Sequence, residues 1–346
     1  MPPFLLFAPG SGQMKRIMNA PENFVAESLA GLVRAHEALV TFGDGRRFIR
    51  RRRMTAGKVA LIAGGGAGHE PMHSGFVGHG MLDAACTGHV FTSPTPDQIV
   101  AAMDETDTGA GCLLIVKNFD GDVMNFEMAA EMAAGRHAIE MVVVEDDAAT
   151  GAGVRSRGRR GMAGTMIVEK ILGAAAERGA GLADLRALGE DLNRRIRSMG
   201  VALRGVTVPN NPRETFSLGP DEMEIGIGIH GEPGLRRARF AGADEIVRVL
   251  GERILAEIRA EMALGVQGRP LLLVNGFGGT PPIELYLAQG IAHRFFEENG
   301  LVPERSLTGT FVTSLDMAGM SITLALLDDA QVELWTAPVE TPGLRW

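Results

Sequence analysis

Cysteine is nearly absent from this chain, with two residues in 346, Cys86 and Cys112. Neither belongs to a CxxC pair or a metal-ligand spacing, and both sit in apolar surroundings. A disulfide scaffold and a zinc ribbon are therefore excluded, and the thiols read as small buried hydrophobes of a reducing cytoplasm. An excess of positive charge is also lacking. Lys and Arg number 34 against 42 Asp and Glu, a net −8, which argues against nucleic acid as the partner. No apolar run reaches the length needed to span a membrane. The opening stretch MPPFLLFAPGSGQ has no basic n-region of a signal peptide, and residues 1–13 read as an extension ahead of Met14. The standard nucleotide and hydrolase signatures are missing too. Gly57-Lys58 is followed by Val59, so there is no P-loop, and H-R-D, D-F-G and G-x-S-x-G do not occur.

Glycine is abundant, at 46 residues, and many glycines stand at strand ends. The apolar run Lys58–Ile62 reads as a buried strand, followed by AGGGAGHEP, in which Gly64 to Gly66 and Gly68 lead into His69. Such a strand-to-helix turn commonly holds an anion on backbone N–H groups, so Gly66 and Gly68 are candidate ligand contacts. A second copy of the pattern is EIGIGIHGEPG, Glu224–Gly234. Ile225, Ile227 and Ile229 alternate with Gly226 and Gly228, predicting a strand with one bare face that delivers His230 to a turn. A lone histidine there is satisfied by turn carbonyls or presents a nitrogen to a small ligand. Two such turns suggest a shared pocket.

The third informative stretch is GCLLIVKNFDGDVMNF, Gly111–Phe126. Cys112–Val116 reads as a buried parallel strand with Lys117, Asn118, Asp120 and Asp122 at its carboxyl end, where open α/β sheets bind ligands. Asp120 reads as a helix cap, and Asp122 as either a cap or a pocket group. Ser93 or Thr95 caps a helix starting near Pro96, and Asn19 caps one over Pro21–Leu39. The basic run Arg46–Arg53 reads as a solvated strand edge. Helices are expected over Met162–Ala176 and Leu182–Ser198, separated by Gly179 and Gly181.

The first half thus alternates strands and helices, implying a mostly parallel sheet flanked by helices. In the second, strands at Val201–Val208, 224–230, Leu271–Phe277, Gly309–Thr313 and Met320–Leu327 alternate with helices at Asp244–Met262 and Pro282–Asn299, a mixed α+β layer. The predicted fold is α/β with two domains, 14–190 and 191–346.

Taken together, GGGAGHEP, FTSPTPDQ, LLIVKNFDGDVMNF, EMEIGIGIHGEPG, VNGFGGTP and TSLDMAG resemble the dihydroxyacetone-binding subunit of dihydroxyacetone kinases, from about Met14 to the C-terminus. The resemblance implies a cytoplasmic homodimer that works with a separate nucleotide-binding subunit, without a cofactor or metal of its own. ATP or ADP with magnesium sits on that partner, and a phosphotransferase-system phosphoryl carrier is a possible upstream donor. It also implies roles. His230 bonds covalently to the ketose carbonyl carbon as a hemiaminal, His69 and Asp122 contact substrate hydroxyls with Asp122 as base, and Lys117 and Ser93 contribute to substrate binding. Ala67 stands where the family has Ser, Asp120 where it has Thr, and His89 where it has Asp. The loop Leu203–Thr215 also departs from its pattern. Those departures leave a four-carbon ketose such as erythrulose as an alternative substrate. A non-catalytic coactivator that borrows the fold, or a self-sufficient ATP-dependent kinase, are further alternatives.

Overall fold

The computed structural model describes residues 16–150, 158–209 and 211–346. The expected extension 1–13 and most of the basic loop before Arg160 lie outside the described residues.

Fourteen strands and eight α-helices are found among the described residues. The first sheet holds β1 (Val40–Phe42), β2 (Ile49–Arg51), β3 (Ala60–Ala67), β4 (Ala84–Val90), β5 (Cys112–Lys117) and β6 (Ile139–Val144), in the order β1-β2-β4-β3-β5-β6. β4, β3, β5 and β6 run parallel, and β2 and β1 extend the sheet antiparallel. Residues of β3 and β5 alternate between two apolar layers. Ile62, Leu114 and Val116 face the side covered by α2 (Pro96–Thr106) and α3 (Asp120–Ala133). Leu61, Leu113 and Ile115 face α4 (Gly164–Glu177) and α5 (Leu182–Arg195). A sheet covered on both faces demands near-continuous apolar strands, and CLLIVK is buried throughout.

The second sheet holds β7 (Ile196–Ala202), β10 (Glu222–Ile225), β11 (Arg236–Arg239), β12 (Arg269–Gly276), β13 (Arg305–Gly309) and β14 (Gly319–Leu327), ordered β11-β10-β7-β14-β12-β13. A separate hairpin joins β8 (Thr207–Val208) to β9 (Asn211–Glu214). One face of this sheet packs on α6 (Ala243–Ala263) and α7 (Pro282–Glu298). Its other face, through Leu271, Leu273, Ala325 and Leu327, joins the same core as Leu61 and Ile115. The chain moves between sheets where α5 passes directly into β7 at Arg195–Ile196. It returns at the end, where α8 (Asp329–Thr336) packs on α4 and the Gly343 N–H donates to the Gly75 carbonyl. The architecture is helix, sheet, helix, sheet, helix, with a core common to both sheets.

Several expectations are corrected. The helix predicted to reach Ser198 ends at Arg195, because Ile196, Met199 and Val201 are claimed by the second sheet. The strand predicted through His230 stops at Ile225. Gly226 has φ +81°, a left-handed turn that takes the chain out of the sheet. Ile227 and Ile229 remain buried without strand pairing. The segment Gly309–Thr313 is not a strand beyond Gly309: β13 spans Arg305–Gly309, and β12 lies between it and β14. The α7 crossover makes β12 and β13 parallel, so the long connection sets the order. β2 is not a solvated edge, since β1 covers it, and Arg51 is only 7% exposed, paired with Asp83 and Glu177. The first long helix runs only over Phe24–Ala35, and Asn19 binds the Glu27 side chain instead of capping it. Thr95 caps α2 through a box with Gln98. Asp120 occupies the first helical position of α3 after Phe119, where a carboxylate meets the positive helix end.

Candidate active site

The site lies where the carboxyl ends of β3 and β5 meet the turn that follows β10. The triple glycine of β3 has a steric cause at each position. A Cβ on Gly65 would lie 2.3 Å from the Lys117 ammonium nitrogen, and one on Gly66 would lie 2.5 Å from the Thr92 backbone nitrogen. The glycines thus admit Lys117 and the loop after β4 against bare backbone. Gly68 has φ +104°, and its N–H donates to the Glu70 carboxylate at 3.0 and 3.1 Å. That N–H is thus engaged within the turn itself. Gly66 lines the cleft.

His69 follows this turn and is fully buried. Its Nδ1 lies 2.7 Å from the Thr313 carbonyl, which can only accept, so Nδ1 carries the proton and Nε2 the lone pair. Nε2 has no partner among the described residues. Burial, then the charges of His230 and Lys117, hold His69 well below the ordinary 6.5 and keep it neutral. The Phe91 ring stacks on it at 5.1 Å.

His230 stands on a tight turn closed by the Gly231 N–H to the Gly228 carbonyl, with Gly231 at φ +81°. Its imidazole meets His69 edge to face at 4.7 Å between centroids, and Phe119 at 4.4 Å. Glu232 holds it from below. One carboxylate oxygen lies 2.7 Å from Nδ1 and the other accepts the His230 backbone N–H at 3.0 Å. Burial would raise the Glu232 carboxyl, but the hydrogen bond and charge of His230, with Arg160, bring it down to about 2. With Nδ1–H donated to Glu232, the Nε2 lone pair is the reactive one. Gly228 is required here, because a Cβ would lie 2.0 Å from the Glu232 carboxylate.

Asp122, in the first turn of α3, is 2% exposed, and Lys117 reaches its Oδ2 at 3.2 Å. Lys117 also donates to the Gly64 carbonyl at 3.2 Å and meets His73 Nε2 at 3.1 Å. Its three N–H groups thereby have acceptors within the protein, and it does not line the cleft described below. Ser93 lies over the start of α3, its Oγ 2.9 Å from where a Cβ on Gly121 would be. Gly66, Ser93, Phe119, Asp122, His230 and Glu232 line one cleft of about 490 Å³, within the range of small-molecule sites. His69 adjoins it through His230. His89 is exposed at the end of β4 and does not line this cleft.

Sequence reasoning missed Glu232, Phe91, Phe119, His73 and Glu169. Glu232 was available as the acid two residues beyond His230. The rings and the His73–Glu169 pair carry no local signal, because chain crossings assemble them. Asp107, Cys112 and His137 also come together, but both His137 nitrogens face carboxylates, at 2.8 Å to Asp104 and 2.8 Å to Asp107. Burial and the nearby acids push the Cys112 thiol up to about 12. Burial would lower His137, but the hydrogen bonds and charges of Asp104 and Asp107 raise it above the ordinary 6.5, and both of its nitrogens are engaged by those carboxylates.

A family model described as the Dak1 domain matches residues 30–343. The chain belongs to the Dak1 family. Among curated relatives, the Dak1 chain is 46% identical over 330 residues to the dihydroxyacetone-binding subunit DhaK of PTS-dependent dihydroxyacetone kinase 1 from Listeria innocua, covering 95% of this chain and 99% of that one. Among solved structures, it superposes with a TM-score of 0.87 and 32% identity on the dihydroxyacetone kinase from C. freundii in complex with AMP-PNP and Mg2+, covering 96% of this chain and 61% of that one. A dihydroxyacetone kinase operon co-activator, Dha-DhaQ, superposes with a TM-score of 0.83 and 34% identity, covering 92% and 96%. No helix among the described residues is long and apolar enough to cross a membrane.

Proposed function

We propose that this Dak1 chain is the substrate-binding subunit of a dihydroxyacetone kinase, holding the ketose covalently on His230. The observation that carries the reading is the Glu232 contact to His230 Nδ1, which fixes the lone pair on Nε2 beside a cleft shared with Asp122. In the bond-forming step, Nε2 adds to the carbonyl carbon and the carbonyl π electrons move to oxygen. That oxygen takes a proton from solvent in the cleft, and the Nδ1 proton passes by way of Glu232 back to solvent, leaving a neutral hemiaminal. Addition needs an electrophilic carbonyl, so glycerol and other polyols are rejected while dihydroxyacetone is accepted.

His69 Nε2 then accepts a hydrogen bond from a substrate hydroxyl. Asp122 takes the proton of the terminal hydroxyl as its oxygen attacks phosphorus. Phosphoryl transfer is mostly positioning and charge stabilisation, so this small set suffices on the acceptor side. The phosphoryl donor is ATP with magnesium on a nucleotide-binding kinase subunit, whose ADP a phosphotransferase-system carrier recharges in one version of the scheme. Support for a partner comes from the Listeria relative, whose name marks it as one subunit of a kinase. The homodimer is supported by exposed apolar side chains at Phe240, Ile283, Tyr286 and Leu287. The two buried free thiols fit a cytoplasmic setting.

Mixing the purified chain with a nucleotide-binding subunit, ATP, magnesium and ketose tests the reading: dihydroxyacetone phosphate forms, and glycerol is untouched. The likeness to the co-activator favours one second reading, a ligand-binding regulator. A chain that takes up ketose but shows no turnover with any partner subunit establishes it. Greater turnover of erythrulose would identify a four-carbon substrate.

A further inference from the structure

Behind the cleft, four ionisable side chains stand in line inside the protein. Asp122, Lys117, His73 and Glu169 are each 6% exposed or less, and the Lys117 and Glu169 side chains are fully buried. Each end of Lys117 is accounted for by geometry. An ammonium has three protons, and Gly64 O, His73 Nε2 and Asp122 Oδ2 are its three acceptors. His73 Nε2 must then carry a lone pair, which places the ring proton on Nδ1, facing Glu169 Oε1. Glu169 lies mid-way along α4, and its Oε2 has no partner among the described residues. Burial raises its carboxyl well above the ordinary range, and burial with the Lys117 charge keeps His73 neutral.

Stability does not explain this row. Buried ionisable groups often do less for folding than apolar side chains of the same shape. The row ends on the carboxylate that the proposed function assigns as base. We infer that His73 and Glu169 are positioning residues for phosphoryl transfer, and this rests on that reading of the site. They hold Lys117 so that one of its protons secures Asp122 Oδ2, leaving the other carboxylate oxygen to take the hydroxyl proton. Glu169 fixes the His73 tautomer, His73 fixes the rotation of the ammonium, and the ammonium fixes the carboxylate. None of the three lines the cleft.

Three variants, His73→Leu, His73→Gln and Glu169→Gln, test this in the full chain mixed with its nucleotide-binding subunit. Turnover and the ketose mass adduct are read together. His73→Leu is expected to lower kcat by about 10- to 100-fold, with KM and adduct occupancy within about twofold of the parent. His73→Gln, whose amide oxygen still accepts from Lys117, is expected to recover most of that loss. Unchanged kcat in folded His73→Leu overturns the inference, as does an equal loss of adduct and turnover in His73→Leu and His73→Gln. Glu169→Gln is expected to fall between the parent and His73→Leu in kcat.

A second readout does not depend on turnover or on any ketose. In ¹⁵N-labelled protein at neutral pH, His73 is expected as the neutral Nδ1–H tautomer, and an Nε2–H tautomer or an imidazolium overturns the row. If the parent chain takes up no ketose at all, the proposed function fails while the tautomer still decides the hydrogen-bond order.

Discussion

His69 and His230 meet edge to face with ring centroids 4.7 Å apart, one from the end of a first-sheet strand and the other from a turn beyond the second sheet's β10. Each has its Nδ1 committed elsewhere, His69 to the Thr313 carbonyl and His230 to Glu232. Both therefore offer Nε2. Two imidazoles with Nδ1 committed and Nε2 at neighbouring points suit a ligand that has one electrophilic carbon and adjacent hydroxyl donors.

Asp122→Asn separates binding from transfer. The amide keeps the shape but cannot take a proton, so turnover is expected to fall by about 10²–10⁴-fold. The ketose adduct, which depends on His230, is expected to persist in intact mass spectra. Loss of the adduct along with turnover would remove Asp122 from the role of base.

Glu232→Gln tests how His230 is poised. An amide can donate to Nδ1 as well as accept from it, so the lone pair is no longer confined to Nε2. A hydrogen bond to a charged group contributes about 1.5–3 kcal/mol, so the ketose dissociation constant is expected to rise about 10- to 100-fold. Titration calorimetry checks this, and unchanged affinity would contradict it.

The buried neutral state of His69 gives stability a pH dependence of known sign. Its pKa in the folded chain lies well below the ordinary 6.5, so between those values the unfolded chain binds a proton that the folded chain does not. The stabilisation is complete above 6.5 and is lost as pH falls, by about 1.4 kcal/mol per pH unit, until the folded pKa is reached. Glu169 and Asp147 (about 6) are raised carboxyls with the opposite slope, so the comparison must be differential. Urea midpoints at pH 7.5 and 5.5 are expected to fall more in the parent than in His69→Asn. Equal falls would show that His69 is not held neutral.

Much of the frame was legible because its signals are local. CLLIVK reads as a buried strand, Ser93 or Thr95 ahead of Pro96 reads as a helix start, and the glycine turns lead to the histidines that the fold brings together. What was illegible depended on partners distant in sequence. Ile196 begins a strand because the second sheet covers it, against a helical pattern that continued through it. The alternation of glycine and isoleucine after Ile225 imitates a strand, whereas the glycines serve a left-handed turn and room for the Glu232 carboxylate. The contact between Lys117 and His73 was illegible because nothing in the sequence brings His73 to it.

Asn275, at the end of β12, links the second sheet to His69. Its side chain donates to the Val312 carbonyl at 2.7 Å and accepts the Phe311 and Val312 N–H groups at 2.9 Å each. The next residue, Thr313, holds His69. Asn275→Ala leaves buried backbone groups unpaired, each at about 1–3 kcal/mol, so a loss of at least about 2 kcal/mol is expected in urea unfolding. Turnover is expected to fall in the folded variant, and a variant as stable and active as the parent would show that Asn275 has no such part.

The proposed covalent bond to His230 is the point on which the other assignments rest. Gentle intact mass spectrometry of the chain with dihydroxyacetone is expected to show an increase of one ketose per chain in the parent protein and none in His230→Ala. An adduct of the same mass and occupancy in folded His230→Ala would contradict the assignment of His230 as the residue that holds the substrate.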